Sequence, residues 1–149
     1  MTTEDIVSIQ IGDEDRTSIE GAIAVLGEKL APFLIALTPE QRHQIPKVKD
    51  KTLPFLEKVM AYTKSNPEIV PKYLDLQALD IDYNAYTLLK TYSRKLSQLI
   101  NNLDDSIMLS GSEAYKGALT FYNAAKQAAK TNVPGAKEVF EDLNERFKK

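Results

Sequence analysis

Residues 76–109 decide the fold, and they read LQALDIDYNAYTLLKTYSRKLSQLINNLDDSIML. Apolar side chains recur in this stretch at intervals of three, four and seven residues, the spacing of one face of an α-helix. These positions are Leu79, Tyr83, Tyr86, Leu89, Leu96, Leu99, Leu103 and Ile107. We therefore predict a long helix that begins at about Leu76 or Asp82 and ends at Leu109.

Two further helices are predicted on the carboxyl side. Ser110-Gly111-Ser112-Glu113 has the form of a capping box, with Gly111 available for a bend, so a new helix is expected to begin there and continue to about Lys130. That segment is rich in alanine. Val133-Pro134-Gly135 then separates a last amphipathic helix. Its inward-facing positions are predicted to be Val139, Phe140, Leu143 and Phe147.

Three helices are predicted on the amino side. Thr17-Ser18-Ile19-Glu20 is a capping box that begins the first helix, and Pro32 is expected to kink or break it. Thr38-Pro39-Glu40-Gln41 begins a short helix, and a third covers residues 52–65. The apolar seam of the first helix consists of Ile19, Ile23, Leu26, Leu30, Phe33 and Leu37. The pattern predicts an all-α fold, a four- to five-helix bundle with a long central helix in a single domain of residues 17–149.

Residues 1–16 are predicted to form an acidic N-terminal arm outside this bundle. Val7-Ser8-Ile9-Gln10-Ile11 alternates apolar and polar side chains, the period of a half-buried strand. A single strand cannot satisfy its own backbone groups, so it must pair with a partner chain, lie on the bundle surface or stay disordered. We expect an extended or disordered arm.

Composition excludes several classes of function. The formal net charge of −2 argues against general nucleic-acid binding, which needs a basic excess to displace counterions from phosphate. The chain has no cysteine, so disulfides and thiolate metal sites are impossible. The start of the chain is acidic rather than basic, unlike a secretory signal. The most apolar run, residues 30–37, is far shorter than the roughly 20 residues that span a bilayer. We expect a cytoplasmic protein without a transmembrane segment.

No catalytic or metal-binding motif is recognisable. Glu40 and His43 share a helix face, but His43 is the only histidine, so one chain cannot build a dinuclear carboxylate site. The same single histidine limits Ser-His-Asp chemistry, and no Gly-x-Ser-x-Gly elbow is present. Asp80-x-Asp82-x-Asn84 begins like a calcium loop but lacks its required glycine and final glutamate. We predict no catalytic residue, no metal and no cofactor, and an enzyme is the less favoured class.

Seven tyrosines are the most suggestive feature of the sequence. Tyrosines that face between helices can ring a pocket for an aromatic or lipid-like ligand, or form part of a protein interface. The structural alternative is that these tyrosines lie at the edge of the core, with their hydroxyls in contact with water. The candidate interaction or pocket residues are Tyr83, Tyr86, Tyr92, Tyr115 and Tyr122, together with Val7 and Ile9 of the arm.

Four segments resemble an uncharacterised family of small bacterial helical proteins. They are LTPEQR at 37–42, NPEIVP at 66–71, GSEAY at 111–115 and NVPGAK at 132–137. The resemblance covers roughly residues 17–147. It implies a bacterial cytoplasmic protein and carries no activity with it.

These observations favour a non-enzymatic helical interaction or structural subunit, either a homo-oligomer or an adaptor in a larger assembly. The long helix has more aromatic residues than packing of a core requires, and the arm is free to contact a partner protein or a second copy. The alternative is a carrier of a small-molecule or lipid-like ligand, with a tyrosine-lined pocket between the long helix and the alanine-rich one. Small alanine side chains weigh against that pocket, because they bring helices together.

Overall fold

A computed structural model of the chain describes residues 8–148. The fold is all-α, with five α-helices, one of them much longer than the rest, and no strand within the described residues. The helices are α1 (Asp13–Leu30), α2 (Pro39–Gln44), α3 (Thr52–Ser65), α4 (Leu76–Lys130) and α5 (Ala136–Asn144). Single 3₁₀ turns follow α1 at Ala31–Phe33, α3 at Pro67–Ile69 and α5 at Glu145–Phe147. The predicted fold class is confirmed.

Helix α1 begins four residues earlier than predicted. Its first turn holds Asp13, Glu14 and Asp15, whose negative charges interact favourably with the positive end of the helix dipole. Thr17 therefore lies inside the helix, and the predicted capping box at residues 17–20 is wrong. The break expected at Pro32 is confirmed, because α1 ends at Leu30 and a 3₁₀ turn follows.

Helix α2 begins at the predicted capping box. The Gln41 amide donates a hydrogen bond to Thr38 Oγ1 (3.2 Å), and the Thr38 amide donates to Gln41 Oε1 (2.9 Å). Two amides that a helix start leaves without a backbone partner are satisfied in this way. Helix α3 has the predicted bounds, and the 3₁₀ turn at Pro67–Ile69 follows it.

Helix α4 is continuous through residues 110–113, so the predicted boundary between a long helix and an alanine-rich helix is wrong. It begins at the earlier of the two predicted positions, where Asp75 Oδ1 accepts a hydrogen bond from the Ala78 amide (3.0 Å). A Schellman motif ends it. In that motif the Val133 amide donates to the Ala128 carbonyl (3.0 Å), and Asn132 has a left-handed φ of +61°.

The described residues before α1 have no regular secondary structure. Residues 8–12 are exposed, including Ile9, so the strand suggested by the alternating pattern is not formed there. Val7 lies outside the described residues. The division into an arm at 1–16 and a domain at 17–149 stays a prediction.

The chain divides into two compact units whose boundary lies within α4. One is Gln10–Ser93, with α1, α2, α3 and the first part of α4; the other contains the described residues from Arg94 onward, with the rest of α4 and α5. Between residues 8 and 148, only Met60, Ala125 and Ala136 are buried. Most large apolar side chains of the helices are therefore exposed or half-buried, and the surfaces they form are the places to look for function.

Candidate functional site

One concave surface is an apolar groove within the unit Gln10–Ser93, with a volume of about 610 Å³. One wall comes from the end of α1 and the turn after it, and the other comes from α4. We call this surface the α1–α4 groove. Its lining residues are Leu26, Lys29, Leu30, Phe33, Ala85, Leu88, Leu89 and Tyr92.

Helical spacing places these residues on facing walls. Leu26 and Leu30 are four residues apart on α1, so they lie one above the other on the same helix face. Pro32 cannot continue the α-helix, and the resulting 3₁₀ turn carries Phe33, which is 71% exposed. On α4, Leu88 and Tyr92 are likewise four residues apart. The groove is therefore built from regular helix geometry and from the break at Pro32.

The α1–α4 groove has one charged lining residue, Lys29. Its Nζ takes part in no ion pair within residues 8–148. Tyr92 supplies the only other side-chain polar atom of the lining, its phenolic oxygen. The groove thus offers an apolar body with a cation and a hydroxyl, and its lining includes no carboxylate or imidazole to act as a general base.

A second surface of interest is an apolar stripe along α4, in the unit that contains Arg94–Lys149. Leu99, Leu103 and Ile107 are 60%, 59% and 66% exposed. Leu96 is half-buried, and Ile100 is also exposed. Their spacing follows the i, i+3, i+4, i+7 pattern and places all five within an arc of about 100° on the helix. We call Leu96, Leu99, Ile100, Leu103 and Ile107 the α4 stripe.

A third feature is an aromatic cluster that docks α5 onto α4. The Tyr122 ring lies 5.5 Å from the Phe140 ring and 5.0 Å from the Phe147 ring, measured between centroids. Tyr122 Oη donates a 2.8 Å hydrogen bond to Asn144 Oδ1. Such close tilted ring contacts, with the hydroxyl hydrogen-bonded, are those of a packed core edge. This cluster is structural, and its small hollow of about 160 Å³ is lined in part by the same side chains.

The five predicted tyrosines do not form one ring. Tyr92 lines the α1–α4 groove, whereas Tyr83 is half-buried and belongs to none of the three surfaces. Tyr86 accepts a 3.2 Å hydrogen bond from Lys90 Nζ, whose ammonium group lies 5.5 Å from the centre of its ring. Tyr115 and Tyr122 lie together near α5.

The tyrosine-lined pocket was predicted between the long helix and the alanine-rich helix, and that location is wrong. Both segments belong to α4, a single continuous helix, so no cleft separates them. Near α5, the Arg146 guanidinium lies 5.6 Å from the centre of the Tyr115 ring and donates a long 3.5 Å hydrogen bond to its hydroxyl. Tyr115 therefore has a local partner rather than a place in a central pocket.

Sequence reasoning missed four members of these surfaces: Lys29, Ala85, Leu88 and Ile100. Leu88 and Ile100 each adjoin a leucine that belongs to the predicted helix face, and a wider apolar arc would have included both. Leu26, Leu30 and Phe33 were predicted as a packing seam rather than as a groove wall. Their spacing correctly predicted that the three side chains lie on one face, but it carries no information on which part of the chain lies opposite that face.

The residues described provide no cluster of three or more histidine, aspartate or glutamate side chains that could hold a metal ion. Within the same part of the chain, no helix combines the length and the apolar character needed to cross a membrane. Comparisons with protein-family models, with curated proteins and with solved structures find no match for this chain. The function must therefore be argued from the groove, the stripe and the cluster themselves.

Proposed function

We propose that the protein is a non-enzymatic helical assembly subunit that self-associates through the α4 stripe. The observation that carries the proposal is the exposure of Leu99, Leu103 and Ile107 on one face of one helix. A contiguous apolar arc of this kind is energetically unfavourable in water, and in stable soluble proteins such surfaces are usually contact surfaces.

A second copy of the chain is the simplest occupant of the α4 stripe. Two-fold association brings the same patch of both chains together, so an apolar patch is complementary to itself. The five side chains expose on the order of 500 Å² per chain, and two copies therefore bury on the order of 1,000 Å², about the threshold for a specific interface. The polar residues on the opposite side of this segment, among them Gln98 and Asp105, remain in water.

Leu103→Glu tests this proposal directly. Burial of one leucine contributes about 1.5–3 kcal/mol, and a two-fold interface contains the substitution twice, so the dissociation constant is expected to rise by roughly 10²–10⁴-fold. Gln98→Glu is the matched control, because it adds the same carboxylate to the opposite face of α4 and is expected to leave association unchanged. Both replaced residues and glutamate are good helix formers, so α4 itself is preserved.

Sedimentation velocity over a wide range of protein concentration measures the outcome. The proposal expects a concentration-dependent oligomer for the unmodified chain and for Gln98→Glu, and a monomer for Leu103→Glu. A monomer at every concentration for the unmodified chain refutes self-association. Equal association by the unmodified chain and Leu103→Glu places the contact elsewhere and refutes the role of the α4 stripe.

The proposal places this subunit in a bacterial cytoplasm. Support comes from the absence of cysteine and from the resemblance of four segments to small bacterial helical proteins. Cell fractionation with an antibody against the purified protein tests this location, and recovery with the membrane or secreted fraction contradicts it.

A second candidate function is the carriage of a small apolar ligand, and the α1–α4 groove favours it. Its volume of about 610 Å³ falls within the range of about 300–1,000 Å³ typical of ligand sites, and its lining is predominantly apolar. Ligand-dependent thermal stabilisation tests carriage in general, because a ligand of the native state raises the midpoint of unfolding. No shift with any apolar ligand, at concentrations that saturate such sites, refutes this second function.

A further inference from the structure

We infer that the α1–α4 groove binds a single-chain amphiphile with a carboxylate head group, of the fatty-acid class, with the carboxylate at Lys29. This inference rests on the second candidate function and is independent of self-association through the α4 stripe. Three observations carry it: the apolar walls, the volume and the single charged side chain of the lining.

The walls select an alkyl chain. Leu30, Phe33 and Leu88 present only carbon atoms to a ligand, so a polar group placed among them loses its hydrogen bonds to water without compensation. An alkyl chain loses none, and its transfer out of water is favourable along its whole length. The ligand is therefore apolar over most of its extent.

The volume sets the size of the ligand. One water molecule occupies about 30 Å³ of the liquid. If each non-hydrogen atom of a ligand needs a similar volume, the groove holds roughly 20 such atoms. That is the size of a single long alkyl chain with a small head group. A lipid with two long chains has about twice as many atoms, so a groove of about 610 Å³ covers only part of it.

Lys29 sets the charge of the head group. Long lysine side chains lay their methylene groups along apolar surface and keep the ammonium group in water, which places a positive charge at the rim of an apolar wall. Glu28 is adjacent in sequence but points about 100° away around α1 and does not line the groove. The acidic first turn of α1 ends at Asp15, about 21 Å along the helix, which exceeds the screening length of about 8 Å at physiological salt. The one charge in the lining is therefore positive, and it favours an anion.

The hydroxyl of Tyr92 adds a hydrogen-bond donor to the same lining. A carboxylate accepts such bonds and an alkyl chain does not, so this group adds to the preference for an acid over a hydrocarbon. An alcohol of the same chain length fills the same volume without the charge. The effect of removing the Lys29 charge on each of the two ligands therefore isolates the contribution of Lys29.

The test uses the full chain with dodecanoate and dodecan-1-ol, both below their aggregation limits, and measures displacement of a fluorescent alkyl carboxylate. The expected result is saturable binding of one dodecanoate per chain. Lys29→Met keeps an unbranched side chain and removes the charge. It is expected to weaken dodecanoate binding about 3–5-fold, the size of a partly exposed ion pair, and to leave dodecan-1-ol unchanged. Lys58→Met, at an exposed position of α3 outside the groove, is the matched control and is expected to bind both ligands normally.

Leu88→Glu distinguishes the groove from other apolar surfaces. Leu88 is exposed, so the substitution does not disturb a core, and it is expected to abolish binding of both ligands. No binding of dodecanoate by the unmodified chain overturns the inference. Binding that Lys29→Met does not weaken overturns the assignment of the head group, and binding that Leu88→Glu does not reduce overturns the assignment of the groove. Leu103→Glu is expected to bind dodecanoate normally, so failure of the ligand site and failure of the assembly surface are separable.

Discussion

Gly111 lies in the interior of α4, and replacement by alanine tests whether this helix is continuous. Gly111 has no positive φ and is exposed, and a Cβ atom built on it meets no other atom within 4 Å. Glycine within a helix is less stable than alanine by roughly 0.5–1 kcal/mol, because it loses more conformational freedom on folding. Gly111→Ala is therefore expected to raise the free energy of unfolding by about 0.5–1 kcal/mol, or the melting temperature by roughly 1–4 °C.

The assay is thermal and urea unfolding followed by circular dichroism at a helical wavelength. Gly117→Ala is the matched control, since it lies in the same helix and its added Cβ also meets nothing within 4 Å. Gly135→Ala is the opposite control, because Gly135 has a φ of +83° that an alanine adopts only with strain. If Gly111→Ala destabilises the protein while Gly117→Ala stabilises it, the chain bends at Gly111 and the reasoning is refuted.

Three further predictions concern the ends and the docking of helices. Thr38→Ala removes the cap of α2 and is expected to destabilise that helix by about 1 kcal/mol. Hydrogen exchange at the Gln41 amide should become faster, and an unchanged exchange rate contradicts the prediction. Asn132→Gly removes the steric strain of a left-handed φ in the motif that ends α4, so it is expected to stabilise the protein by about 0.5–1 kcal/mol. Urea unfolding measures this change, and a loss of stability contradicts the assignment of the motif. Phe140→Ala removes the ring packed on Tyr122 and is expected to cost about 2 kcal/mol and to expose the amides of α5 to exchange. Glu141→Ala, at an exposed position of the same helix, is its control and should leave those amides protected.

Local signals in the sequence predicted most helix ends correctly. The capping box at Thr38 and the end of α3 at Ser65 both involve backbone groups within four residues, so the residues that decide the outcome are close together in the chain. The break at Pro32 has the same character, since the ring of proline removes a donor from its own turn. Where a structural event is decided locally, the sequence contains the whole cause.

The boundary predicted at residues 110–113 is wrong because the prediction considered the capping residue and the glycine but not the energetic cost of ending the helix. A capping residue contributes about 1 kcal/mol, and glycine disfavours a helix by a similar amount. Ending a helix, however, leaves four amides on one side and four carbonyls on the other without helical partners. Continuity keeps all of these groups bonded, and Ser110 and Gly111 are accommodated within α4.

The tyrosine prediction shows what helical spacing can and cannot place. Tyr83 and Tyr92 are nine residues apart, so a rotation of 100° per residue puts them on opposite sides of α4, and the sequence alone excludes one pocket for both. Tyr115 and Tyr122 are seven apart and share a face, which agrees with their common position near α5. The partners of each face come from distant segments, and a single sequence contains no contacts from which to identify them.

The small number of buried residues connects the fold with the proposed assembly. Ordering the backbone of one residue costs about 1–2 kcal/mol, whereas full burial of a leucine returns about 1.5–3 kcal/mol. With only Met60, Ala125 and Ala136 buried between residues 8 and 148, a single copy leaves much of that apolar stabilisation unrealised. Pairing through the α4 stripe would recover part of it in each chain, so folding and association become linked. In that case the midpoint of thermal unfolding rises with protein concentration, as mass action requires. The midpoint of a monomeric carrier instead rises with the concentration of its ligand and does not change with the concentration of the protein.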